Sequence, residues 1–182
     1  AWSFGAIVLI LGLPTVLFFN YGVFDEYDYW AGTVSLVVFA LAEIILFSWV
    51  FGMKRGMQEI NAGGDIKVPN IFGFIIKWVT PIFLLVVFLG ALITPLNNDW
   101  AGAFQNGWQL DNGSIIMKIT NNGLKEQIAA AQTAGDQATV DNLQTTITYV
   151  NASRLLLLAV FGSVAYLVYF AYRKRIKEGR FV

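Results

Sequence analysis

Apolar residues run almost unbroken through four stretches of the chain, separated by segments where charged and amide side chains collect. A membrane-spanning helix needs roughly 20 mostly apolar residues. The stretches at about 1–19, 29–52, 71–93 and 152–172 reach or approach that length. The first carries no charge. The second carries only Glu43, the third only Lys77 near its start, and the fourth only Arg154 at one end. Each is apolar all round rather than striped, the pattern of a helix in lipid or inside a membrane protein. Pro14 and Pro81 each remove an intrahelical hydrogen bond and predict kinks.

The polar segments between them have their own periodicity. Residues 53–61 predict a short interfacial helix, which Gly63-Gly64 would end. Pro69 suits the start of the next helix, where its missing N–H costs little. The long segment 95–151 divides in two. Asn112-Gly113 between short apolar runs gives a weak hairpin signal. Residues 124–134, rich in Ala, Gln, Lys and Glu, favour helix. Gly135 breaks that helix, and Asp136 can cap another that leads toward the fourth span. Asn112-Gly-Ser and Asn151-Ala-Ser match the glycosylation pattern, a match that chance also produces.

Composition narrows the function classes. Hydrophobic residues make up 57% of the 182, charged residues only 13%, and Lys+Arg balances Asp+Glu at 12 each. That excludes a disordered chain and a basic nucleic-acid binder. With neither His nor Cys, Ser-His-Asp hydrolysis, thiolate chemistry and His- or Cys-ligated metals are all excluded. The remaining enzyme chemistry would need paired carboxylates or a Ser-Lys dyad, and none stands out within the spans, so the chain does not read as an enzyme.

Charge placement sets the expected orientation. Lys54, Arg55 and Lys67 lie between the second and third spans, and Arg173, Lys174, Arg175, Lys177 and Arg180 follow the fourth. The loop after the first span has Asp25, Glu26 and Asp28 and no basic residue, and 95–151 has only Lys118 and Lys125. The basic loop and the C-terminus are therefore expected in the cytoplasm, in a multi-pass inner or cell membrane protein. Trp2, Tyr29, Trp30, Trp78, Tyr169 and Tyr172 fall near span ends, where aromatic belts form. Ala1 opens directly into an apolar run with no basic flank and no small-residue cleavage site, so that run does not read as a signal peptide. It reads as a helix lacking its upstream flank, and the chain as a fragment.

From Phe24 to Leu84 the sequence resembles the neurotransmitter:sodium symporters, especially the bacterial sodium-dependent amino-acid transporters of the LeuT fold. The resemblance is carried by Asp25-Glu-Tyr-Asp-Tyr-Trp-Ala-Gly-Thr33, Glu43 in an apolar run, Trp49-Val-Phe-Gly52, Glu59-Ile-Asn-Ala-Gly-Gly64, Lys67-Val-Pro69 and Lys77-Trp-Val-Thr-Pro81. It implies an all-α membrane protein whose four helices correspond to the last four of twelve. Residues 95–151 then look like a partly helical extracellular insertion. It also implies that the fragment holds no cofactor of its own, and that the sodium ions and amino-acid substrate of the complete transporter bind on helices preceding these. The implied partners are the lipid bilayer and those missing N-terminal helices.

The resemblance places Asp28 at the outer gate, where a carboxylate pairs with an Arg of the first helix as the vestibule closes. It places Phe24 and Thr33 at the outer vestibule. Without it, Asp28 reads as a helix-capping loop carboxylate, Phe24 as packing and Thr33 as a backbone-bonded hydroxyl. Asp25 and Glu26 read as helix-start charges that favour the positive end of the dipole. Glu43 is a carboxylate deep in a span, a costly placement that calls for a partner. Lys77 is the natural one, with depths differing by roughly 4–5 Å at 1.5 Å per residue, so the two are expected to form a buried charged pair. The competing reading of the whole is a non-transporting membrane scaffold or accessory subunit with a soluble outer subdomain.

Overall fold

The computed structural model describes residues 2–62 and 65–177. Gly63, Gly64 and Arg180, which figured in the expectations above, lie outside them. The described residues form α-helices joined by π and 3₁₀ segments, with no strand. The chain divides into two compact units, Ala1–Gly32 with Ala131–Val182, and Thr33–Ala130.

In the first unit, α1 (Trp2–Leu17) is followed by a 3₁₀ turn at Phe19–Tyr21 and by α2 (Val23–Tyr27). At 16 residues, α1 is about 24 Å long, short of the roughly 30 Å hydrocarbon core. The unit closes with α10 (Gln137–Lys177), one unbroken helix of 41 residues. The last 15 residues of the expected loop 95–151 are therefore helical, and the fourth apolar stretch is the middle of a longer rod. As expected, Asp136 caps it, its carboxylate accepting from the Thr139 amide and hydroxyl. Tyr149 of α10 stacks on Phe18 and Tyr21, with ring centroids 4.4 and 4.7 Å apart.

In the second unit, α3 (Ser35–Ile45) leads through a π segment (Leu46–Gly52) into α4 (Met53–Asn61). Gly52 has φ +97°, which a side chain would resist, and there the chain leaves the span for the amphipathic α4. The expected break between residues 52 and 53 is therefore real, and residues 53–61 form the expected short helix. After Pro69, α5 (Asn70–Phe74), a π segment (Ile75–Val79) and α6 (Thr80–Leu92) form the next span.

The cause of that π segment is legible. Pro81 has no N–H to give the Lys77 carbonyl four residues back. The Thr80 amide reaches back five residues to Ile75. The Trp49 indole donates to the Lys77 carbonyl at 2.9 Å, so the orphaned acceptor is satisfied from the neighbouring span. α3 and α6 pack together. α4 packs close beneath, with Gly56 so near Phe47 that an added Cβ would stand 2.6 Å from the ring.

The rest of the unit comprises α7 (Trp100–Asn106), α8 (Ile115–Ile119) and most of α9 (Asn122–Ala134), whose last turn belongs to the first unit. The expected hairpin at Asn112-Gly113 does not form. Ser114 instead caps α8 by accepting from the Met117 amide, and helical capping prevails over the turn signal. Backbone pairing is limited to 94–96 with 109–111, where Leu96 donates to Gln109 and Asp111 donates to Thr94. Asn112 donates to Glu126 at 2.7 Å and accepts from Asn122 at 3.0 Å.

Among the described residues three helical runs are long and apolar enough to cross a membrane: Val23–Asn61, Asn70–Leu92 and Gln137–Lys177. Few of their side chains are buried in the chain itself, and large apolar groups such as Leu36, Val86 and Leu167 face outward. Water disfavours such a surface, whereas lipid or further helices would cover it.

Candidate functional site

The richest polar constellation surrounds α2. Gly22, in the left-handed region, ends the 3₁₀ turn and lets α2 begin at Val23. Asp25 and Glu26 fall in its first turn, where carboxylates favour the positive end of the helix dipole. Val23 and Glu26, three residues apart, turn the same way and are 2% and 8% exposed. They lie on the side of α2 that packs on α10.

Arg154 of α10 meets Glu26 there. Its Nε donates to Oε2 at 2.7 Å and its Nη2 to Oε1 at 3.1 Å, a two-point fork. The Trp30 indole, one turn further along, also donates to Oε2 at 2.6 Å, and the guanidinium lies 5.6 Å from the Trp30 ring. Glu26 is thus held by three N–H donors in a site shielded on one side by an aromatic face. The reading of Glu26 as a simple helix-start charge is corrected: it is a buried anchor. The available signal was Arg154, the lone charge at the head of an apolar run, facing a loop that offered only carboxylates.

This clamp fixes the rotation of α2 and so determines what its other face presents. Phe24 and Asp28, four residues apart and therefore on one face, both point outward. Phe24 is 49% exposed, with its ring 5.9 Å from Phe19. Asp28 is exposed and opens the π segment Asp28–Val34. Its Oδ1 stands 3.3 Å from where a Cβ on Gly32 would be, so the glycine leaves the carboxylate room. Among the described residues no donor hydrogen-bonds to the Asp28 carboxylate. Single π turns inside α-helices recur at functional sites.

The other expected site residues lie in the second unit. Thr33 is exposed, and its hydroxyl makes no hydrogen bond among the described residues. Glu43 and Lys77 are joined by no hydrogen bond or ion pair; Glu43 is exposed, and the Lys77 amine lies 5.7 Å from its neighbour's Trp78 ring. The register explains this separation. Lys77 is level with Trp49, whose indole bonds its carbonyl, and Glu43 is six residues from Trp49, or about 9 Å along the helix.

An all-helical chain with several long apolar helices falls in the class of helical membrane proteins. The model of the sodium:neurotransmitter symporter family matches residues 3–122, about two-thirds of the chain, and the chain belongs to that family. No curated protein matches it. The family is one of membrane transporters rather than enzymes, and its members couple transport to sodium. The match includes Phe24, Glu26, Asp28, Thr33, Glu43 and Lys77, while Arg154 lies beyond it.

Proposed function

We propose that this chain is the C-terminal part of a sodium-coupled secondary transporter that imports amino acids or related small amines by alternating access. In this reading the four apolar stretches are scaffold helices corresponding to the last four of twelve in the LeuT fold. Asp28 is the outer-gate carboxylate, and Phe24 and Thr33 line the outer vestibule. The substrate and the sodium ions bind on helices that precede these. The C-terminus is cytoplasmic, its basic residues facing anionic lipid, and 95–151 is extracellular.

One observation carries the gate role. The Glu26–Arg154 clamp turns Asp28 outward from α10, with no hydrogen-bond partner among the described residues. An exposed ion pair is worth roughly 0–1 kcal/mol, weak enough to break and re-form in each cycle. A carboxylate already paired, as Glu26 is, would not serve. Glu43, exposed on an apolar helix, calls for a partner from the rest of the transporter rather than Lys77.

The test is amino-acid uptake by the full-length protein in proteoliposomes, driven by an inward sodium gradient. Uptake that collapses when potassium replaces sodium is the expected result. No sodium-dependent uptake or binding across a broad amino-acid panel would put the scaffold reading ahead.

A further inference from the structure

We propose that the groove between α4 and α5 seats the headgroup of an anionic phospholipid. The groove has a volume of about 650 Å³, and its walls bring together Lys54, Lys67 and Lys77 with Asn70, Phe74 and Trp78. Among the described residues no carboxylate lines it. Its floor is close-packed: Gly73 approaches the Met53 and Met57 side chains so nearly that an added Cβ would meet both at 3.4 Å.

Three ammonium groups around one cavity repel one another unless an anion joins them. Lys67 gives one of its three protons to the Asn61 carbonyl at 3.0 Å, which leaves two to donate. The Asn61 side chain in turn accepts from the Val68 amide at 2.7 Å, holding the Lys67 segment against the end of α4. Lys77 is the most telling of the three. It sits seven residues past the start of α5, about 10 Å into an apolar span, and no carboxylate pairs with it among the described residues. A lysine at that depth extends its ammonium toward the interface, where a lipid phosphate lies.

The walls favour a lipid over a free phosphate. Phe74 and Trp78 are both more than a third exposed, and they continue the groove along the span as an apolar track for acyl chains. Basic pockets beside membrane helices on the cytoplasmic face are suited to anionic headgroups. The inference rests on the membrane orientation proposed above.

The experiment is native mass spectrometry of the full-length protein in detergent with phosphatidylglycerol, phosphatidylcholine of the same chains, or glycerol phosphate. One phosphatidylglycerol should be retained selectively. Lys54→Gln/Lys67→Gln/Lys77→Gln should weaken that adduct about a hundredfold, at about a fivefold loss per lysine. Lys77→Arg, which keeps the charge, should retain it, and so should Arg173→Gln/Lys174→Gln/Arg175→Gln. Equal retention by the triple lysine variant, or equal binding of phosphatidylcholine, overturns the proposal. Comparable binding of glycerol phosphate overturns the lipid assignment in favour of a soluble phosphate. Sodium-driven uptake by the same proteins reconstituted in proteoliposomes checks that the triple variant is folded. A parent protein that takes up amino acids but retains no lipid selectively sinks only the lipid site, whereas a parent that binds phosphatidylglycerol selectively without uptake sinks only the transport reading.

Discussion

Arg154 holds both carboxylate oxygens of Glu26 across 128 residues of sequence. The pair ties α10 to α2 and sets which face of α2 looks away from α10. The clamp thereby sets where the Asp28 carboxylate points.

Removing one partner leaves the other charge shielded and unpaired. Arg154→Met alone, or Glu26→Gln alone, should each cost about 3 kcal/mol, the lower end of the range for buried pairs because this one keeps some solvent contact. The double variant should cost at least about 1 kcal/mol less than the sum of the two. Thermal unfolding in detergent reads all three, and strict additivity would mean that the pair is not coupled.

Trp49 and Pro81 form a second cycle. Trp49→Phe keeps most of the aromatic packing but leaves the Lys77 carbonyl without its donor, at a cost of about 1–2 kcal/mol. Pro81→Ala restores an amide that can serve the same carbonyl. In that background Trp49→Phe should cost distinctly less. An unchanged cost would show that the indole contributes through packing rather than its N–H.

Gly56 gives a steric test. A Cβ at position 56 would press on the Phe47 ring, and such overpacking typically costs about 1–3 kcal/mol. Gly56→Ala should loosen α4 and speed proteolysis near residues 53–61. Phe47→Leu in the same chain should restore protection.

Asp136 predicts a pH dependence. Hydrogen bonds from the Thr139 hydroxyl and amide hold its carboxyl below the usual carboxylate range. A lowered folded-state pKa contributes stability above the unfolded value, and that contribution is lost as pH falls through the folded one. Amide exchange in the first turn of α10, corrected for intrinsic rates, should therefore rise on acidification below the ordinary carboxylate range. Asp136→Asn should flatten that rise, and an identical pH profile in the variant would remove the cap from the account.

The sequence pattern carried the helical class, the separate helix α4 and the Gly135-Asp136 break with its cap, because each depends on local chemistry. It missed what depends on register between segments distant in sequence. Glu26 looked like its neighbour Asp25 until α10 placed Arg154 opposite it. Glu43 and Lys77 looked within side-chain reach because depth was counted from span ends, while the indole bond to Lys77 sets the register at Trp49. The π segments were also invisible, though the one before Pro81 follows from a missing amide. In 112–119 two local signals competed, and the Ser114 cap prevailed over the Asn-Gly turn.

In the proposed mechanism Asp28, and not merely negative charge at the head of this helix, closes the outer gate. Sodium-driven amino-acid uptake by the full-length protein, with Asp28→Asn set beside Asp25→Asn, tests it most directly. We predict that Asp28→Asn lowers uptake at least about tenfold, a change of about 1.4 kcal/mol, while Asp25→Asn stays near the parent and both variants remain folded. Equal uptake by the two variants would contradict the account.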